Sequence, residues 1–364
     1  MESLFLPEWA PNMHPMLVHF PIAILAIAIL FDFLSFFLPK ERKWWTVEST
    51  ALLYGVGAAT AIGVYFTGKE AADSVFLPAE AQTVLTTHAD WALYVVWFYG
   101  IYAVARIFAT WKGREEHRMK FHIGFFALSF VGLFLLVQTG DNGAKLVFKY
   151  GAGVQTNKTE TPVKLSQETD SEGLIDNSTT FITTENGNWE WEMGKNAISD
   201  LRNNFHWLIG SLENANAEAV IASNGRYVLS FSGGNLNDFF VSHDSFNNTQ
   251  IDYYLDMSTF EGVVMLTNNV VDESNFDFVS ISSGGEVIQG RLVNGKETIF
   301  EKGSNDTSKP MFVRVVSSGT HFRGYIDKKM VVHGHGDAPK DGAVGLKIKG
   351  SGKILLEKMS LSKL

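Results

Sequence analysis

Ten histidines and no cysteine set much of the chemistry open to this chain. Without thiols there are no disulfides, no Cys-ligated zinc, no iron–sulfur clusters and no covalently attached c-type haem. His14, His19, His88 and His122 lie in or beside strongly apolar runs, with Asp32 and Glu48 close by. A charged or imidazole group within hydrocarbon is costly unless paired or watered, so each one is a functional candidate. In an up-and-down bundle the helices carrying His19 and His88 run in the same direction and face each other diagonally. Two imidazoles facing across a bundle are what an axially ligated b-type haem requires. His14 lies on a different side of the helix from His19, as an alternative ligand, an outer partner or an interfacial residue. Imidazoles at a membrane boundary also serve simply as hydrogen-bonding partners for water and headgroups. At the other end, Asp32 is expected to pair with His122 or with Arg106, tying the helix ends together.

Further along, His333, His335 and Asp337 crowd into a His-Gly-His-Gly-Asp stretch. Alternate histidines can converge on a metal, but glycine and aspartate at this density usually mark a turn, which is the expectation taken here. Trp189, Trp191 and Trp207 could stack on sugar rings. Alternation puts Trp189 and Trp191 on one strand face, where core packing is the ordinary use. Glu190 and Glu192 share the opposite face and read as solvated carboxylates rather than a glycosidase pair. No catalytic residues are assigned, and a binding role is expected rather than an enzymatic one.

Four segments must position the first group of histidines: Met16–Leu38, Trp45–Phe66, Trp91–Trp111 and Phe121–Gln138. Each reaches the length of roughly 20 mainly apolar residues needed to cross a bilayer. The second is rich in Gly55, Gly57, Ala58, Ala59, Ala61 and Gly63, small residues that let backbones approach closely. No Lys or Arg precedes the first run, so it reads as a retained span rather than a cleaved signal.

Charge is divided along the chain. Of 30 Lys+Arg and 39 Asp+Glu, residues 1–154 carry 11 and 12, so the acidic surplus is C-terminal. That argues against a nucleic-acid partner. Lys40, Arg42 and Lys43, with Arg106, Lys112, Arg114, Arg118 and Lys120, lie on one side of the spans. By the positive-inside rule that side is cytoplasmic, and both termini are expected on the opposite, periplasmic or extracellular, side. Trp44, Trp45, Trp91 and Trp111 fall near the interfaces, where amphipathic rings settle.

The opening Asn12-Met-His-Pro-Met-Leu-Val-His-Phe-Pro-Ile-Ala resembles the signature of a bacterial four-helix membrane family, domain of unknown function 2231. Thr67-Gly68, His88 and the stretch from Thr139-Gly-Asp-Asn-Gly to Gly151-Ala-Gly-Val154 also resemble it, over about residues 10–155. Asp141 and Tyr150 stand where the family often has histidine. The resemblance implies topology and little about activity. Members joined to c-type cytochrome modules imply other membrane redox subunits as partners.

Residues 155–173 are polar and read as a linker. Beyond it, Asn188–Met193, Ala217–Ala222, Tyr227–Ser232, Gln250–Met257, Gly262–Leu266, Phe276–Ser282, Met311–Val316 and Gly345–Ile348 read as short strands. Their order, with a Gly324–Asp327 hairpin after MFVRVV, resembles concanavalin-type jelly rolls. These include laminin-G-like modules and the 3-keto-disaccharide hydrolase group. That likeness implies a sandwich that often binds carbohydrate.

The expected architecture is therefore a four-helix transmembrane bundle (1–154), a linker (155–173) and an antiparallel β-sandwich of jelly-roll type (174–364). The leading functional expectation is a haem b electron-transfer or accessory subunit using His19, His88 or His14. The alternative is a non-enzymatic membrane anchor for a carbohydrate- or protein-binding sandwich, and a tethered sugar-processing enzyme ranks last.

Overall fold

The computed structural model describes residues 12–38, 45–112, 118–154, 180–184 and 186–364. The expected linker, and Lys40, Arg42, Lys43, Trp44 and Arg114, lie outside these residues. The chain divides into two compact units, Met1–Leu77 with Thr83–Asn157 and Pro78–Gln82 with Lys158–Leu364.

The first unit is helical: α1 (His14–Leu17), α2 (His19–Ser35), α3 (Val47–Asp73), α4 (Ala79–Trp111) and α5 (Arg118–Phe148). The break between α1 and α2 falls at Val18, one turn before Pro21. Proline cannot donate to the carbonyl four residues back and its ring crowds that carbonyl, which loosens the helix there. Thr46 opens α3 with a reciprocal capping box to Ser49, satisfying two otherwise orphaned N–H groups.

Among the described residues, four segments are long and apolar enough to span a membrane: His14–Ser35, Val47–Asp73, Ala79–Trp111 and Lys120–Phe148. Only 11–28% of their most apolar windows is buried by protein, and Phe20, Leu52, Trp97, Ile101, Val104, Phe130 and Val137 point outward. A helix apolar on its unpacked side belongs in lipid rather than water. The helices outrun the expected spans: α4 starts twelve residues before Trp91, and α5 runs ten past Gln138. Hydropathy marks the hydrocarbon, whereas helical hydrogen bonding continues into the interface. Leu25, Ala28, Tyr54, Ala58, Ala61, Tyr99 and Tyr102 form the bundle core. Gly57 lies tight against Leu25, and Gly132 against Phe98 and Tyr99, the close packing expected of small residues.

Among the described residues of the second unit, one short helix, α6 (Ala197–Asn204), accompanies thirteen strands. These are β1 (Thr180–Thr183), β2 (Trp189–Glu192), β3 (Phe205–Ile209), β4 (Glu218–Ile221), β5 (Tyr227–Ser242), β6 (Thr249–Asp272) and β7 (Asn275–Ser282). They continue with β8 (Glu286–Val293), β9 (Lys296–Ser304), β10 (Met311–Ser318), β11 (His321–Ile326), β12 (Lys329–His335) and β13 (Ala343–Lys363). All pairings are antiparallel. One layer reads β1-β2-β13-β6-β10-β11-β12. The other continues the same long strands, with β5 beside β13 and β7, β8 and β9 stepping outward from β6. β6 and β13 thus pass through both layers, bending where Gly262 and Gly350 face each other. The expected strands Gln250–Met257 and Gly262–Leu266 are two halves of β6. The interior holds Trp189, Trp191, Phe205, Phe231, Phe240, Ile251, Tyr253, Val313, Leu346 and Met359.

Candidate functional site

At one end of the bundle His14 and His88 meet, their ring centroids 6.3 Å apart and their planes at 80°. His14 Nδ1 lies 3.2 Å from the Val64 carbonyl and 3.3 Å from Thr67 Oγ1. His88 Nδ1 lies 2.9 Å from the Thr139 carbonyl. A carbonyl at Nδ1 selects the tautomer that donates there and leaves Nε2 as the ligating atom, the usual outer support of a metal-binding histidine. Each ring rests on a glycine: a Cβ at Gly68 would stand 2.9 Å from His14 Cε1, and one at Gly143 would stand 3.0 Å from His88 Cε1. All four spans therefore contribute. His19, the other expected ligand, is exposed on its helix instead; Val18 keeps helical dihedrals, and a five-residue spacing turns His19 to a different side from His14.

Two imidazoles on opposite sides of one ion, each bonded at about 2.0–2.1 Å, have centroids about 6 Å apart. The His14–His88 separation is close to that spacing.

At the opposite end, one side chain from each span converges on Asp32 of α2. Arg106 of α4 donates to Oδ1 at 2.6 Å, and Tyr54 of α3 donates to Oδ2 at 3.0 Å. His122 of α5 lies 3.1 Å from Arg106 Nη2 by its Nδ1 and 2.6 Å from Ser35 Oγ by its Nε2. Both expected partners of Asp32 are present together.

On the sandwich, β-alternation separates two faces of the β2-β13-β6-β10 layer. Trp189, Trp191, Ile251, Tyr253, Val313, Met359 and Leu361 point inward. The two tryptophans are therefore core residues, 5% and 0% exposed. Glu190, Lys358, Ser360, Asp252, Tyr254, Phe312 and Arg314 occupy the alternate positions across neighbouring strands. Asp252 receives Arg314 Nε and Nη2 at 2.7 Å each, a bidentate pair with fixed geometry. Lys358 pairs with Glu190. Tyr254 is 41% exposed, and its ring centroid lies 4.9 Å from that of Phe312, tilted by 59°.

This band has little signature in the linear sequence. Its signal was the spacing of Asp252 with Tyr254 and of Phe312 with Arg314, visible only once β6 and β10 are paired in register.

These features define a multi-pass membrane protein whose second unit is an antiparallel β-sandwich. Residues 10–156 match the family described as "Predicted membrane protein (DUF2231)". No curated protein matches the chain by sequence. The carbohydrate-binding module CBM66 from Bacillus subtilis is similar at 15% identity and a TM-score of 0.34, over 43% of this chain and 94% of that one. A protein of unknown function with a galectin-like fold from Bacillus subtilis is similar at 9% identity and a TM-score of 0.36, over 51% and 98%. A Bacillus licheniformis β-glucanase is similar at 10% identity and a TM-score of 0.34, over 44% and 92%.

Proposed function

We propose that this chain is a membrane-anchored binding protein whose sandwich captures carbohydrate outside the cytoplasm. The observation that carries the reading is the exposed Tyr254 ring beside Phe312, flanked by the Asp252–Arg314 and Lys358–Glu190 pairs. A pyranose presents an apolar C–H face and a rim of hydroxyls. An aromatic platform ringed by a few fixed polar groups complements both. No group here is placed as a nucleophile or a general acid. By the positive-inside rule, the basic residues of the sequence at the Arg106 end of the bundle support a cytoplasmic position for that end and a periplasmic or extracellular one for the sandwich.

The test is retention of detergent-solubilised protein on immobilised polysaccharides and a glycan array, compared with Tyr254→Ala and Phe312→Ala. Each substitution should weaken retention by about tenfold or more, equivalent to about 1.4 kcal/mol. Unchanged retention in both variants would reject the face. Protease added to intact spheroplasts should remove the sandwich, and its protection would reverse the orientation.

A second reading rests on His14 and His88, whose geometry suits a b-type haem. Such a group would supply one-electron transfer to neighbouring membrane redox subunits. The reading expects a reduced-minus-oxidised b-type spectrum that is lost in His14→Ala and His88→Ala and kept in His19→Ala. A featureless spectrum from protein produced with ample haem would remove it.

A further inference from the structure

His321, His333 and His335 come together on the β11–β12 hairpin. Antiparallel register sets His321 beside His335, and His333 lies two residues before His335 on the same strand. Strand alternation therefore places all three on one face. The opposite face is fixed by Phe322, which stacks on Phe300 at 5.4 Å, and by Gly334, which packs against the same phenylalanine. Ring centroids are 4.6 Å apart for His321 and His335, 4.8 Å for His333 and His335, and 5.8 Å for His321 and His333. One ligating nitrogen from each lies within 4.8 Å of the other two.

We propose that these three histidines form a binding site for one borderline divalent transition-metal ion, for which Zn2+ is the natural probe. Around a tetrahedral ion at about 2.0–2.1 Å the nitrogens would stand about 3.3 Å apart, so each need move inward by less than about 1 Å. Small side-chain rotations provide that. An all-imidazole set with no thiolate suits Zn2+, Cu2+ or Ni2+ and disfavours Mg2+ and Ca2+, which take oxygen. The site is graded in exposure, with His321 buried, His333 intermediate and His335 exposed. Its anchored side is rigid and its exposed side leaves the fourth position to water or an external ligand, the arrangement of an open rather than a closed zinc site.

Arg323 is the cross-strand partner of His333 on the same face. Its fixed positive charge lowers affinity for a cation relative to a site backed by carboxylates. Of the His-Gly-His-Gly-Asp stretch, the two histidines enter this cluster, and the third ligand comes from the preceding strand rather than from Asp337. The inference stands apart from the glycan reading, because it uses neither Tyr254 nor Phe312.

The experiment is metal binding by full-length protein in mild detergent, purified with an affinity tag that contains no histidine and stripped with chelator. Zn2+ content after dialysis gives the stoichiometry. Co2+ titration gives a visible d–d band whose intensity reports tetrahedral nitrogen ligation. One equivalent should bind with a Kd of about 1 µM or tighter. His333→Gln and His335→Gln should weaken it by about 100-fold and abolish the Co2+ band, whereas His206→Gln should leave both unchanged. Melting temperatures of the metal-free variants, matched to metal-free wild type, show that the fold survives. Equal binding by wild type and by His333→Gln and His335→Gln, or absence of the band in folded wild type, would overturn the proposal.

Discussion

Asp32 and Arg106 are 1% and 3% exposed at their side chains and bonded at 2.6 Å, so neither charge has bulk water to fall back on. Removing one partner from such a pair leaves the other uncompensated and typically costs about 3–5 kcal/mol. Asp32→Asn should therefore lower the bundle's melting temperature in detergent sharply, and Arg106→Leu added to it should recover part of the loss. A double variant that melts no higher than Asp32→Asn alone would contradict this account. Asp238 offers a contrasting case in the sandwich. Burial pushes its carboxyl above the usual range, against the backbone N–H groups of Asn237 and Ser211, which pull it down. A raised value in the folded state means that the stabilising contribution is complete below the unfolded value of about 3.9 and is lost as pH rises through the folded value. Asp238→Asn should gain in melting temperature relative to wild type between pH 4 and pH 7, and a pH-independent difference would refute it. At this scale sequence reached the Asp32 partnership because an intramembrane carboxylate needs a cation. It named His14, His19 and His88 together; the structure brings the rings of His14 and His88 to 6.3 Å, while five residues along a continuous helical turn carry His19 to another side.

Among the elements, β6 and β13 depend on a pair of glycines where they bend. Gly262 and Gly350 face each other with φ of +148° and +152°, a region few side chains enter. A Cβ on either would run into the partner strand's backbone, at the Lys349 or the Glu261 carbonyl oxygen. Gly262→Ala and Gly350→Ala should each destabilise the sandwich by roughly 2 kcal/mol or more, read as a lower thermal or denaturant midpoint. A midpoint equal to wild type would show that the corner yields. The same bend explains why strands were legible as fragments. Apolar alternation is clear in FDFVSIS and MFVRVVS, but in β6 and β13 it slips at the bulges that let one strand serve two layers. His321 escaped notice for a related reason. It sits twelve residues before His333, and only the two-residue turn at Asp327–Lys328, both with positive φ, folds it back beside its partners. The sequence shows a hairpin there, but not the register that sets His321 against His335.

Across the whole molecule, the two units solve opposite solvent problems with the same apolar side chains. The bundle displays Trp97, Ile101 and Val104 outward, while the sandwich encloses Trp191, Phe231 and Tyr253 completely. That division was readable from composition alone, since four apolar runs followed by short alternating ones leave few other arrangements. The binding features were less readable, because both the aromatic band and the histidine cluster are assembled from strands distant in sequence.

The path of β13 has a consequence for how the sandwich is made. This strand bridges β2, β5 and β6, yet it follows all of them in the chain, Ala343 coming 71 residues after Asp272, the end of β6. During vectorial synthesis two long strands must wait with unpaired edges until their shared neighbour emerges. Such late, long-range closure is slow and leaves the nascent chain open to mispairing with other edges. The sandwich should therefore depend on holding factors during its biogenesis, and a ribosome stalled before Ala343 should yield a chain that proteases degrade rather than a partly built domain.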